Sequence, residues 1–174
     1  MILPHAKKSM KRKEGGDKVR PIAERSHMEK EFDRWNRVKK NVDGERRPIE
    51  AHQRELWWVS FGANIGIEID GKHETFERPG IVLRRFNREM VWVMPVTSQK
   101  KSSPFYAEFL HGGTTYWAAL TQVRTLSTKR FLRKIGMIPQ ESFVAMQRKL
   151  SAFVMECENE RSPAQGGAPR RPKP

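Results

Sequence analysis

Cysteine is almost missing from this chain. Cys157 stands alone, so neither an internal disulfide nor a cysteine-built zinc site can form, which fits a reducing compartment and predicts a cytoplasmic protein. Long apolar runs are missing too. No stretch approaches the roughly 18 residues needed to span a bilayer. The start, Met1-Ile2-Leu3-Pro4-His5-Ala6-Lys7-Lys8, has no apolar run behind its charges, so neither a secretory signal nor a membrane partner is expected. The five histidines are scattered, without His-x-x-x-His or paired-cysteine spacing, and no metal is expected. Gly-x-x-x-x-Gly-Lys and Gly-x-Gly-x-x-Gly loops are absent as well, so no nucleotide cofactor is expected. No internal repeat is found.

Acid is also in short supply. Against 34 Lys and Arg there are 20 Asp and Glu, a net charge of +14 over 174 residues. The excess is uneven. Residues 1–50 carry 15 basic and 9 acidic side chains, residues 161–174 carry 4 basic and none acidic, and residues 51–160 carry 15 and 11. The aromatic and β-branched residues concentrate in that last, most nearly neutral segment. This predicts one domain with a basic arm at each end: a disordered arm over 1–27, a short helix and linker over 28–50, the domain itself over 51–158, and a disordered tail over 159–174. Both arms are rich in residues that cannot bury enough apolar surface to order themselves.

Between the first arm and the domain, Phe32, Trp35 and Val38 recur at helical spacing. They predict a short amphipathic helix over Met28–Lys40, ended by Asp43-Gly44, that either docks on the domain or merely tethers the arm. The domain reads as short strands with turns between them. Leu56–Phe61 is apolar without alternation, as for a strand covered on both faces. Gly80–Phe86, a turn at Asn87-Arg88-Glu89, Met90–Val96, Phe105–Leu110, a turn at Gly112-Gly113, Thr114–Thr121 and a short strand near Lys134–Ile138 follow. These predict a small antiparallel barrel. A closing helix over Gln140–Glu156 places Phe143, Met146, Leu150, Phe153 and Val154 on one face. With the paired tryptophans, this is more apolar surface than one small core needs, so a homodimer is expected.

Six ordered segments together resemble the MazF/PemK family of type II toxins. They are Glu55–Gly62, the Gly-rich loop Gly66–Glu74, Phe76–Leu83, Val93–Ser98, Ala119–Leu126 and Ile135-Gly136. The extended N-terminal region with its Trp-containing helix resembles a longer subgroup of that family. The resemblance implies a homodimeric SH3-like barrel, mainly β with a C-terminal helix. It also implies a metal-independent endoribonuclease that cuts single-stranded mRNA at short sequences, and a cognate antitoxin protein that neutralises it.

Metal-free RNA cleavage needs a 2′-hydroxyl to lose its proton, charge on the phosphate to be stabilised, and the 5′-oxygen to gain a proton. By its family position Arg78, ahead of Pro79, is the first candidate: a guanidinium fork matches phosphate oxygens, and its pKa makes it a poor base. The bland alternative is an Arg78–Glu77 surface pair. Thr97 is the second candidate, with Ser98 as a helper, although a Thr-Ser pair at a strand end is commonly turn chemistry. Gln99, Lys100 and Lys101 are candidate RNA contacts on the following loop, and Gln122 and Arg124 in another matched segment. Some relatives carry a catalytic acid where Thr121 stands, so an Asp-assisted mechanism is not expected. His73 is a candidate RNA contact whose imidazole could take the 2′-hydroxyl proton, but as a loop histidine it is expected to be solvated. Glu68, Asp70, Glu74 and Glu77 crowd the same loop and suggest a mobile lid. The alternatives to a ribonuclease are a toxin of the same fold that binds a protein such as gyrase and cuts nothing, or an inactive RNA-binding module.

Overall fold

The computed structural model describes residues 30–159. The disordered arm expected over 1–27 and the tail from residue 160 onward lie outside the described residues, and the helix expected from Met28 begins only at Phe32, after non-helical Lys30 and Glu31. The chain runs α1 (Phe32–Glu45), β1 (Glu55–Ser60), β2 (Glu77–Arg85), β3 (Met90–Thr97), β4 (Tyr106–His111), β5 (Thr114–Ala119), β6 (Arg124–Ser127), β7 (Phe131–Met137) and α2 (Gln140–Asn159). One-turn 3₁₀ segments sit at Leu120–Gln122 and Thr128–Arg130.

All strand pairings are antiparallel, in the order β4-β5-β3-β2-β1-β7, with β6 added to β3. β3 is the hinge of this arrangement. Its first half, Met90–Val93, bonds to β6, while Val96 and Thr97 bond to β5. One edge of β3 thus serves two neighbours while β2 holds the other, and the sheet curls on itself. A register shift between Val82 and Arg84 lets β2 follow that curl.

The middle of β1, Leu56–Val59, is apolar without alternation because the two faces of the strand enter two cores. Trp57, Val59 and Phe61 join Val82, Val91, Val93, Leu126 and Phe131 on one side. Leu56 joins Ile81, Met94, Val96 and Phe109 on the other, where Phe143 and Met146 of α2 close the layer. The alternation Ile81/Val82 and Val93/Met94 divides β2 and β3 in the same way.

Three expectations need correction. Asp43-Gly44 does not end α1, which runs through it to Glu45 and stops where Arg46 turns extended, two residues before Pro48. β5 ends at Ala119, so Leu120, Thr121 and Gln122 turn rather than extend, and the four-residue β6 was not foreseen. Burial falls off along α2, from Phe143 and Met146 in the core to Val154, which is 65% exposed. The turns fall as expected. Asn87 Oδ1 accepts from the Glu89 and Met90 N–H groups at 2.8 Å each. Gly112 and Gly113 both take positive φ in the β4–β5 hairpin, as a two-residue turn demands.

α1 docks on the barrel. Trp35 is buried, with its ring 5.5 Å from that of Phe76 and the Arg130 guanidinium stacked 5.2 Å from its centroid. Gly62 makes room for it: its φ is +95°, and a Cβ there would lie 2.4 Å from the indole.

Candidate functional site

β1 and β2 are joined by a loop of residues 61–76, and β3 leads into another that begins at Ser98. Between them lies a cleft of about 340 Å³ lined by Trp58, Lys72, His73, Glu77, Arg78, Pro79, Val96, Thr97, Ser98, Gln99, Tyr116 and Ile135. The barrel register assembles it. Arg78 sits opposite Val59 and Pro79 opposite Trp58 on β1, while Thr97 pairs with Trp117 of β5. Arg78, Thr97, Ser98, Gln99 and His73 therefore share one cleft.

Arg78 is half-buried, and its Nε donates to the Asp70 carbonyl oxygen at 2.8 Å. Its terminal amino groups make no hydrogen bond among the described residues. Burial pushes its pKa down, countered by the Asp70 carboxylate and Tyr106, but a guanidinium stays charged at neutral pH. Pinning Nε leaves the outer fork as the edge open to a ligand, and its planar pair of donors matches two oxygens of an oxyanion. An Arg78–Glu77 pair does not form. Glu77 instead takes a bidentate pair from Arg133, at 2.7 and 2.9 Å, and a hydroxyl bond from Thr75 at 3.0 Å. The Arg133 hydrogen bond is the main reason the Glu77 carboxyl is held below the usual carboxylate range, against its burial.

Thr97 Oγ1 accepts from the Gln99 N–H at 3.1 Å. This is the turn chemistry expected of such a pair, and it also fixes the hydroxyl at the cleft wall. His73 is exposed, at φ +61°, on the rim. Lys100 and Lys101 are not in the cleft lining, and Lys101 lies 5.7 Å over the Tyr106 ring in a neighbouring hollow. Gln122 and Arg124 stand on the far side of the β1–β2 loop and fasten it. The Ile69 N–H donates to Gln122 Oε1 at 3.3 Å, while Arg124 donates to Asn64 Oδ1 at 3.1 Å and pairs with Glu68 at 3.5 Å.

The acidic crowding that suggested a mobile lid has another use. Glu68, Asp70, Glu74 and Glu77 each have a cationic partner within the chain: Arg124, Lys30, Arg34 and Arg133 respectively. The loop is fastened at several points. Sequence reasoning missed Trp58, Tyr116 and Lys72 as cleft residues. Trp58 was detectable in principle, since strand alternation puts it on the face opposite Trp57. Arg133 caps it at 4.7 Å from the ring centroid. Among the described residues no group of three or more His, Cys, Asp or Glu could hold a metal ion, and no helix there is long and apolar enough to cross a membrane.

The fold is shared with MazF from Deinococcus radiodurans, whose crystal structure superposes with a TM-score of 0.53 at 22% identity, covering 62% of this chain and 98% of that one. A MazE–MazF complex from the same organism gives 0.48 at 20% identity, covering 61% and 96%. An endoribonuclease from a mycobacterial species gives 0.46 at 8%, covering 64% and 95%. No curated protein sequence matches. Residues 52–154 match the family described as PemK-like, MazF-like toxin of type II toxin-antitoxin system. That span is more than half of the chain and contains the whole cleft, and the chain belongs to this family of toxins.

Proposed function

We propose that the chain is the toxin of a type II pair and acts as a metal-independent, sequence-specific endoribonuclease on single-stranded mRNA in the cytoplasm. One observation carries the reading: the Arg78 fork, fixed at Nε and otherwise unengaged among the described residues, lines the same small cleft as Thr97 and Ser98. In this reaction the 2′-hydroxyl loses its proton and its oxygen attacks the adjacent phosphorus in line. The bond from phosphorus to the 5′-oxygen breaks, and that oxygen takes up a proton. The products are a 2′,3′-cyclic phosphate and a 5′-hydroxyl.

Arg78 neutralises charge on the non-bridging oxygens, where a preorganised cation acts without reorganising solvent. Thr97 and Ser98 hydrogen-bond the scissile phosphate. Gln99 and His73 contact flanking nucleotides at the rim, with Lys72 adding a positive charge. Lys100, Lys101, Gln122 and Arg124 would meet RNA only beyond the cleft. Membership of a toxin–antitoxin family supports a cognate antitoxin as partner. The exposed apolar side chains of β4, β7 and α2, among them Leu110, Met137 and Val154, support a homodimer that covers some of them.

The test is cleavage itself. The purified protein is expected to cut single-stranded RNA in EDTA and to leave 5′-hydroxyl ends. Replacing the 2′-hydroxyl at the cut site by hydrogen should abolish reaction. Loss of activity with chelator, or 5′-phosphate products, overturns the mechanism.

A further inference from the structure

We infer that α1 and the residues just before it clamp Arg78 in place, with Lys30 as the positioning residue; the kinetic part of this rests on the ribonuclease reading above. Lys30 lies outside the family-matching span of 52–154, yet among the described residues the polar contacts of its side chain all fall on the β1–β2 loop within that span. Its ammonium pairs with Asp70 Oδ2 at 3.0 Å and donates to the carbonyl oxygens of Asn64 and, at 3.2 Å, of Gly66. Two of the ammonium's donors thus go to carbonyl oxygens of one loop, and its charge faces a carboxylate of the same loop. The side chain is only 22% exposed, unlike an ordinary solvated lysine.

Asp70 links this contact to the site. Its carboxylate receives Lys30 on one oxygen and the Asn64 N–H on the other, at 2.6 Å. Its backbone carbonyl receives Arg78 Nε at 2.8 Å. The chain of contacts is therefore Lys30 to Asp70 to Arg78, with one residue between the N-terminal segment and the guanidinium. Trp35 secures both ends of the same loop, since it packs on Gly62 at the start and on Phe76 at the end. Arg34 adds a 4.0 Å pair with Glu74. The loop has no helix or strand and is tied within itself by short backbone contacts, such as Gly71 N–H to the Gly62 carbonyl and the Lys72–Glu77 bridge, and a loop this long is otherwise expected to sample several conformations. The clamp selects the one in which Asp70 offers its carbonyl to Arg78, so the fork is preorganised before RNA arrives.

The decisive variants, in the full chain, are Lys30→Met, Lys30→Arg and Asp70→Asn. Lys30→Met keeps the stem and removes the charge. It is expected to lower kcat at saturating RNA about 10-fold, less than the ~10²-fold cost of misplacing a reacting group by 1 Å, while KM changes little. Lys30→Arg should restore most of the rate. Asp70→Asn leaves the carbonyl contacts of Lys30 in place and should cost no more than Lys30→Met, and the double variant should cost less than the sum of the two, because both weaken the shared Lys30–Asp70 pair. In an Arg78→Ala background Lys30→Met should have no further effect. Independently of activity, amide hydrogen exchange over residues 62–76 should rise in Lys30→Met while the barrel strands stay protected. A rise in KM alone would overturn the proposal by making Lys30 an RNA contact, and a full rate loss in the Arg78→Ala background would break the link to Arg78. If the wild type cuts no RNA, the ribonuclease reading fails, and exchange alone decides whether the clamp orders the loop: unchanged exchange overturns it.

Discussion

At the scale of single residues, the cleft separates groups by how firmly they are held. Arg78 is pinned at Nε and half-buried, Thr97 is fixed through the Gln99 N–H, and His73 is exposed on the rim. Arg78→Ala should therefore lower the cleavage rate by at least about 10²-fold, as for loss of a charge-stabilising group. Thr97→Ala should cost less, and His73→Ala should leave the rate nearly unchanged. Steady-state kinetics with melting temperatures in parallel checks all three; a His73→Ala loss as large as that of Arg78→Ala would make His73 the general base. Two buried carboxylates, Glu55 and Glu77, make stability depend on pH. Burial would raise the Glu55 carboxyl, but the His52 N–H, Lys134 and Trp57 outweigh it and hold it below its ordinary value. Arg133 does the same for Glu77. A carboxyl whose folded-state pKa is lowered binds fewer protons folded than unfolded, so its contribution is present above about pH 4.3, the ordinary glutamate value, and is lost as pH falls through the folded value. Glu77→Gln should therefore melt lower than the wild type at pH 7, and the gap should shrink toward pH 3.

At the scale of elements, α1 is the informative case. Its apolar spacing left docking and mere tethering equally open, because Phe32, Trp35 and Val38 show that a helix has an apolar side without showing what covers it. The structure covers Trp35 and Val42 and leaves Phe32 48% exposed. Trp35→Ala should destabilise the protein by about 3 kcal/mol, in the range for a large aromatic removed from a packed site, as read from urea unfolding. An unchanged midpoint would mean that the helix only tethers. β6 is the opposite case. Arg124-Thr125-Leu126-Ser127 buries only Leu126, too little for a hydrophobic pattern to register. It is a strand because Met90–Val93 of β3 needs a hydrogen-bonding partner there.

At the scale of the whole molecule, most of the net charge sits outside the barrel. Of the net +14, residues 1–50 and 161–174 contribute +6 and +4. The Lys and Arg of residues 1–27 and 161–174 are expected to supply sequence-independent phosphate contacts rather than chemistry. A protein without residues 1–27 and 161–174 retains Lys30, α1 and the cleft. It should keep its cut site and its turnover at saturating RNA, bind RNA more weakly, and show a shallower dependence of log affinity on log salt. Binding across a salt series for both proteins measures this. An equal slope would mean the arms never touch RNA, and a changed cut site would mean they take part in recognition.

The sequence by itself determined the strands whose residues repeat with the right period, the hairpin turns with their glycines and Asn87, and the family segments that carry Arg78 and Thr97. These are local properties: side-chain alternation, positive φ and short motifs are written in consecutive residues. What only the tertiary structure decided are relations between distant residues. Glu77 pairs with Arg133 and not with its neighbour Arg78, because adjacent residues on a strand point to opposite faces. Gln122 and Arg124 engage the loop, some sixty residues earlier, and do not line the cleft. The clamp from Lys30 to Asp70 spans forty residues. Charge type and motif show that such groups can pair, but which cation meets which carboxylate depends on where the curled sheet and the docked helix bring them together.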